Sequence, residues 1–203
     1  MSSFQKSLFE LIDEFIGNGG NLVSSAIIPL KDVELTEIEK ALKLQLNDPA
    51  RSLVRWTGGD WSAFDNAPSK RVNFIPDFFV LNPENIVYYE KKYRKSDNLG
   101  HASLPRSLKG ADTSAIIPVL SNGVDFISLS QTSESCGLIL KRNDHSVASE
   151  YWPSIDSFLD FTREAWQKGF YKINEMEECV DIDANGLVSI TPASVVYFEG
   201  GGY

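Results

Sequence analysis

The chain contains few of the residues from which metal centres and nucleophilic active sites are usually built. Its 203 residues include two cysteines, Cys136 and Cys179, and two histidines, His101 and His145. Two cysteines are too few for a disulfide framework, and these four residues lack the paired spacing of a zinc site. We therefore expect two reduced thiols, no resident metal and no cofactor. Catalysis by His145 or Cys136 is the weaker alternative, because neither residue lies in a recognisable nucleophile motif.

Long apolar segments are also missing. No run approaches the roughly 20 apolar residues that span a bilayer. The N-terminal segment MSSFQKSLFELIDEFIG carries three carboxylates, unlike a secretory or transit peptide. The composition, 42% hydrophobic and 23% charged, is ordinary for a globular protein. We expect a single cytoplasmic domain over residues 1–203, with no membrane contact.

Basic residues are scarce in the last third of the chain. Residues 144–203 contain 11 acidic and 3 basic side chains, a net charge of −8, whereas residues 1–143 contain 17 acidic and 16 basic ones. An acidic surface repels nucleic acid and attracts a basic protein partner. We therefore expect no nucleic-acid binding. Acidity that only keeps the protein soluble explains the same charge distribution and stays open as an alternative.

Capping signals predict three helices in the first third of the chain. The first covers residues 3–17, with Phe, Leu and Ile side chains at helical spacing. The second starts at Thr36, where the sequence TEIE forms a capping box. The third is expected to have Asp48 as its N-cap and Pro49 as its first helical residue. A Gly-Gly pair at 58–59 is expected to end that helix in the left-handed conformation.

Strand signals dominate the rest of the chain. Residues 78–95 predict a strand followed by a helix, and residues 113–130 predict a hairpin around an Asn-Gly turn. Another strand follows at 137–142, and an amphipathic helix at 154–169. A second hairpin is predicted over 177–190, again around Asn-Gly. Because strands and helices do not alternate regularly, the order predicts an α+β fold with a largely antiparallel sheet.

The sequence DIDANG at 181–186 matches the opening of an EF-hand calcium loop. Such a loop requires a bidentate glutamate at its twelfth position, where this chain has Pro192. We therefore interpret DIDANG as the turn of the second hairpin. Weak or incidental metal binding is the minor alternative.

A run of carboxylates in the same region is the best candidate for partner binding. Five of them fall within nine residues, namely Glu175, Glu177, Glu178, Asp181 and Asp183. On a strand, alternate residues point to one face, so Glu177, Asp181 and Asp183 would lie together. Crowded like charges destabilise a fold unless a cation or a basic partner is present. Three further candidate partner-binding residues are Asp60, Trp61 and Asp144.

The order of these motifs resembles the SUKH superfamily. The segment LQLNDPARSLVRWTGGDW is similar to the family's second helix with its Asn-Gly-Gly-like ending. FFVLNPENIV and IIPVLSNGVDFISLS are similar to its strand-plus-helix segment and its Ile-Pro strand with hairpin. GLILKRNDHS and SIDSFLDF are similar to its late strand, polar turn and closing helix. The resemblance covers about residues 34–168, which leaves the N-terminal helix and a hairpin extension at 169–203 outside it. The chain departs from the family pattern at Thr57, where Asn is usual.

The resemblance implies a non-catalytic α+β domain. The superfamily includes fungal cell-wall-synthesis regulators and many bacterial immunity proteins, which neutralise polymorphic toxins, often nucleases, by direct binding. We therefore expect an immunity protein whose partner is a cognate, basic toxin. A regulatory or scaffold protein of the cell-wall-synthesis-regulator type is the alternative. The identity of the neighbouring gene separates the two hypotheses.

Overall fold

A computed structural model describes residues 3–20, 29–58, 73–76, 78–95, 115–123, 125–131, 136–141, 150–177 and 179–197. Four of the candidate partner-binding residues lie outside the described residues, namely Asp60, Trp61, Asp144 and Glu178. Both histidines lie outside them as well.

The described residues form six helices and eight strands. The helices are α1 (Ser3–Gly17), α2 (Asp32–Leu42), α3 (Asp48–Arg55), α4 (Pro83–Lys95), α5 (Ile155–Gln167) and α6 (Ala184–Ile190). The strands are β1 (Phe79–Val80), β2 (Ala115–Ser121), β3 (Phe126–Gln131), β4 (Cys136–Lys141), β5 (Glu150–Trp152), β6 (Tyr171–Asn174), β7 (Cys179–Ile182) and β8 (Val196–Tyr197). In these ranges no helix has the length and apolar character needed to cross a membrane.

Six of the strands form one sheet in the order β1-β2-β3-β4-β5-β8, and every pairing in it is antiparallel. At the centre of this sheet, the side chains of Ile117, Leu129 and Leu138 are buried, and these residues lie opposite one another on β2, β3 and β4. The strands β6 and β7 form a separate antiparallel pair. The protein is therefore an α+β fold with an antiparallel sheet, and the prediction of fold class is confirmed.

Helices α1 and α5 pack against each other and enclose the core with the sheet. The predicted first helix has the bounds expected for it, and Gly19 follows it with a φ of 89°. The helix predicted over 154–169 is α5, and Ser154 caps it by accepting a hydrogen bond from the backbone N–H of Ser157 at 3.0 Å. The predicted hairpin over 113–130 is β2–β3, with Gly123 at a φ of 92° in its turn. Local periodicity and turn chemistry were sufficient for these elements.

The second helix starts earlier than the sequence predicted. Its first residue is Asp32, and Glu34 accepts a hydrogen bond from the backbone N–H of Lys31 at 2.6 Å. Thr36 lies inside the helix, where its hydroxyl donates to the carbonyl oxygen of Asp32 at 2.9 Å. The prediction of a start at Thr36 was wrong. Glu34, three residues after Lys31, accepts a hydrogen bond from a backbone N–H at the helix start, so the capping box lies about one turn earlier.

The third helix is capped by Asn47 and not by Asp48. The side chain of Asn47 accepts a hydrogen bond from the backbone N–H of Ala50 at 3.0 Å. At the other end the helix stops at Arg55, and Trp56 forms the cap with a φ of −86°. The predicted left-handed Gly-Gly cap is therefore wrong, because the helix has already ended before Gly58.

The hairpin predicted over 177–190 is also wrong. Strand β7 pairs with β6, the strand before it in the chain, and the residues after β7 form helix α6. Gly186 is buried in this helix, and a Cβ atom added there would collide with the ring of Phe170. The glycine of the Asn-Gly pair thus serves close packing of α6 and not the turn of a hairpin.

Gly137 on β4 offers a test of how tightly the sheet is packed. A Cβ atom there would lie 2.5 Å from the backbone oxygen of Trp152 and 2.5 Å from the ring of Tyr151. We expect Gly137→Ala to lower the free energy of unfolding by about 2 kcal/mol, since overpacking next to backbone cannot relax cheaply. Urea denaturation measures the change. The control is Gly17→Ala, where no atom lies within 4 Å. Equal stability of the two variants would contradict the prediction.

Candidate partner-binding surface

The described candidate residues lie in one compact region, formed by β6, β7 and α6 and called here the C-terminal unit. Glu175 and Glu177 occupy the turn between the two strands, Asp181 lies on β7, and Asp183 follows β7 directly. All four side chains are exposed. The structure therefore keeps these predicted residues close together on the surface.

The pleat of β7 separates its outer face from its inner face. Val180 is buried on the inner face, whereas Cys179 and Asp181 lie on the outer one. The side chain of Glu177 joins them, so that one carboxylate oxygen from each acidic residue and the sulfur of Cys179 lie within 4.8 Å of one another. These three donors are close enough to hold one cation among the described residues.

Asp183 does not share this face, contrary to the sequence prediction. The strand ends at Ile182, and the carboxylate of Asp183 accepts a hydrogen bond from the backbone N–H of Gly186 at 3.0 Å. It is therefore the N-cap of α6. DIDANG consequently runs from a strand into a capped helix, and it forms neither a hairpin turn nor an EF-hand loop.

Asn174 organises the turn, and the sequence reasoning missed it. Its side-chain oxygen accepts a hydrogen bond from the backbone N–H of Glu177 at 3.2 Å. Its amide nitrogen lies 3.4 Å from both carboxylate oxygens of Asp181. An asparagine just before a polar run is a signal for such a turn. Asn174 therefore holds the backbone of the turn at Glu177 and contacts the carboxylate of Asp181.

The carboxylates of the turn are not neutralised by salt bridges within the described part of the chain. Lys172 lies directly opposite Asp181 in the register of the two strands. Its side chain nevertheless reaches toward the end of α5, where its Cε atom would be 3.4 Å from a Cβ atom on Gly169. Among the described residues, Asp181 therefore lies beside Asn174 and Glu177 and forms no salt bridge.

Met176 is the most exposed large apolar residue at the described surface. Its exposed fraction is 95%, and it stands at the tip of the β6–β7 turn between Glu175 and Glu177. A flexible thioether adapts well to a partner surface. The sequence signal that could have revealed it is one apolar residue in the middle of the acidic run EMEE.

An apolar cleft lies beside the C-terminal unit. Its volume is about 490 Å³, and its walls come from the main sheet, α5 and the C-terminal unit. Two exposed apolar residues on this side, Ile182 and Val188, have exposed fractions of 44% and 72%. Trp152 lines the cleft, and its buried indole N–H finds no acceptor within the described chain. The surface therefore combines carboxylates on its outer face with apolar side chains next to a concavity.

The two cysteines differ in accessibility. Neither forms a disulfide bond within the described chain, Cys136 is buried, and Cys179 is half-buried beside Glu177. Burial raises the pKa of the Cys136 thiol to about 12, which suppresses the thiolate that nucleophilic catalysis requires. The alternative of catalysis by Cys136 therefore loses support.

No protein-family model matches the chain, and a search of curated proteins finds no match. The class of the protein is defined by its fold, an antiparallel sheet with helices packed on it. The resemblance to the SUKH superfamily stays a prediction.

The assignment of Asp183 as a cap leads to a stability prediction. We expect Asp183→Ala to lower the free energy of unfolding by about 1 kcal/mol, because α6 loses its N-cap. Asp183→Asn retains an acceptor and should lose less than half of that amount. Asp181→Ala, which replaces the aspartate two residues earlier on β7, is the matched control. Thermal and urea unfolding measure all three variants. If Asp181→Ala is the more damaging change, the assignment fails.

Thiol labelling tests the difference between the two cysteines. At pH 8 a pKa of about 12 leaves a thiolate fraction on the order of 10⁻⁴ at Cys136. In a reaction with a disulfide reagent, we therefore expect one thiol per chain, that of Cys179, to react fast and the other, that of Cys136, to react very slowly. Cys179→Ser should remove the fast phase, and raising the pH to 9 should leave the slow phase slow. Rapid modification of Cys136 in the folded Cys179→Ser variant would refute this.

Proposed function

We propose that the protein is an immunity protein, which binds a cognate toxin through its C-terminal unit and neutralises it by contact and not by catalysis. The observation that carries the proposal is the tip of the β6–β7 turn. There an almost fully exposed methionine stands between two carboxylates that have no salt bridge within the described residues. All three side chains are exposed, and none of them is part of the core.

Such a tip has the composition of a protein-binding site. Interfaces depend on a few apolar or aromatic anchors at the centre, with polar and charged groups around them. Met176 supplies an anchor, and Ile182 and Val188 add exposed apolar area on the same unit. The carboxylates of Glu175 and Glu177 supply the charged surroundings.

The charge of this region favours a basic partner. Residues 169–203 contain six carboxylates and one lysine. An acidic surface accelerates association with a basic protein through electrostatic steering. Nuclease toxins are typical basic partners because they must bind phosphates. We infer that the β6–β7 turn, with Glu175 and Glu177, binds the phosphate-binding surface of such a toxin.

The resemblance to the SUKH superfamily points to the same function. Because that superfamily also includes cell-wall-synthesis regulators, a regulatory protein of this type is the alternative. The adjacent gene distinguishes the two. If it encodes a toxin, co-expression followed by affinity purification should yield a stable complex, and the toxin should lose its activity in it. Absence of a complex at micromolar concentrations would reject the immunity function.

The role of the turn is tested by measuring association and dissociation rates with that toxin. Glu177→Lys should slow association roughly two- to tenfold at low salt, and the effect should shrink at high salt. Met176→Ala should mainly accelerate dissociation, by roughly five- to thirtyfold, because an anchor is lost. The control is Asp13→Lys, an equal change of charge at an exposed position on α1. Equal effects of Glu177→Lys and Asp13→Lys would place the interface elsewhere.

A further inference from the structure

Helices α2 and α4 pack side by side and leave an open groove between them. Its volume is about 540 Å³. Leu30 and Ile38 form part of its floor and are buried, with exposed fractions of 7% and 5%. This groove shares no residue with the C-terminal unit.

Val33 continues the apolar floor to the surface. It lies in the first turn of α2, lines the groove and has an exposed fraction of 64%. A first turn of a helix favours polar and acidic residues, so capping does not explain a valine there. The exposed valine extends apolar contact area that the fold itself does not bury.

Three glutamates line the groove, and none of the described residues that line it is basic. Two of them, Glu34 and Glu84, lie in first turns, where carboxylates also interact well with the helix dipole. Glu37 lies further along α2 and pairs with Lys40 at 2.7 Å, with both side chains about two-thirds exposed. An exposed pair of this kind is weak, and a cation from a partner can replace it.

We propose that this groove binds a cationic amphipathic helix of a partner protein. Helix-in-groove recognition places an apolar helix face on an apolar floor, and here the rim of Glu34, Glu37 and Glu84 selects lysine or arginine at the flanks of that face. Helix α2 has 11 residues and is about 16 Å long, so the groove accommodates about three helical turns. The proposal does not depend on the function of the C-terminal unit, and its test requires no toxin.

The probe is a labelled synthetic peptide of about four helical turns with leucine on one face and lysine on both flanks. A peptide of the same composition in scrambled order is the control. Fluorescence anisotropy measures the affinity, and amide shifts in ¹⁵N spectra locate the site. We expect micromolar binding of the amphipathic peptide, at least tenfold weaker binding of the scrambled one, and shifts at α2 and α4 but not at the C-terminal unit.

Two lysine substitutions separate the groove from general charge attraction. Val33→Lys should weaken peptide binding at least tenfold. Ile16→Lys changes the net charge equally at an exposed apolar residue on α1, with an exposed fraction of 50%, and should change binding less than twofold. Thermal unfolding verifies that both variants are folded.

Three results would overturn the proposal. If both peptides bind with equal affinity, or if both lysine variants lose the same affinity, the interaction is explained by net charge alone. A dimer that Val33→Lys dissociates, seen by sedimentation without peptide, would assign the groove to a second copy of this chain. Failure of the toxin experiments would leave these results unaffected, and a failed peptide experiment would leave the toxin proposal intact.

Discussion

The position of the C-terminal unit depends on one buried side chain, Trp166 on α5. Its exposed fraction is 1%, and its indole N–H donates to the carbonyl oxygen of Phe74 at 2.9 Å. The ring packs edge-on against Phe15 of α1 at 5.3 Å and against Tyr171 of β6 at 5.5 Å. Because a buried indole must satisfy its N–H and bury a large ring, this residue ties α1, the segment 73–76 and β6 to α5.

The β6–β7 turn projects outward because the opposite end and the inner face of the hairpin pack against the core. The backbone N–H of Phe170 donates to the carbonyl oxygen of Ala165, and the carbonyl oxygen of Phe170 accepts from the N–H of Asp183. Val180 is buried on the inner face of β7, and Gly186 lets α6 approach the ring of Phe170. These contacts leave the turn and the outer face of β7 exposed at the described surface, beside the exposed Val188 of α6.

Elements whose determining signal is local are predictable from the sequence, and elements that depend on contacts in the folded chain are not. The apolar spacing of α1 and the Asn-Gly turn of β2–β3 are readable within a few residues. Asn185-Gly186 fits a hairpin equally well, and contacts in the folded chain mark a helix there, namely the cap by Asp183 and the close approach of Gly186 to Phe170. Composition likewise located the acidic region, whereas the exposure of Met176 and the contacts of Asn174 require the folded hairpin.

The fold gives some of its carboxylates a defined structural partner, which sets the carboxylates of the turn apart. Glu39 is largely buried, accepts from the backbone N–H of Leu46 at 3.1 Å and lies 3.5 Å from Arg51. Asp183 caps α6. Glu175 and Glu177, by contrast, stand exposed on either side of an exposed methionine. Crowded like charges cost stability and an exposed methionine contributes little to it. The arrangement therefore supports our proposal that the turn binds a basic partner.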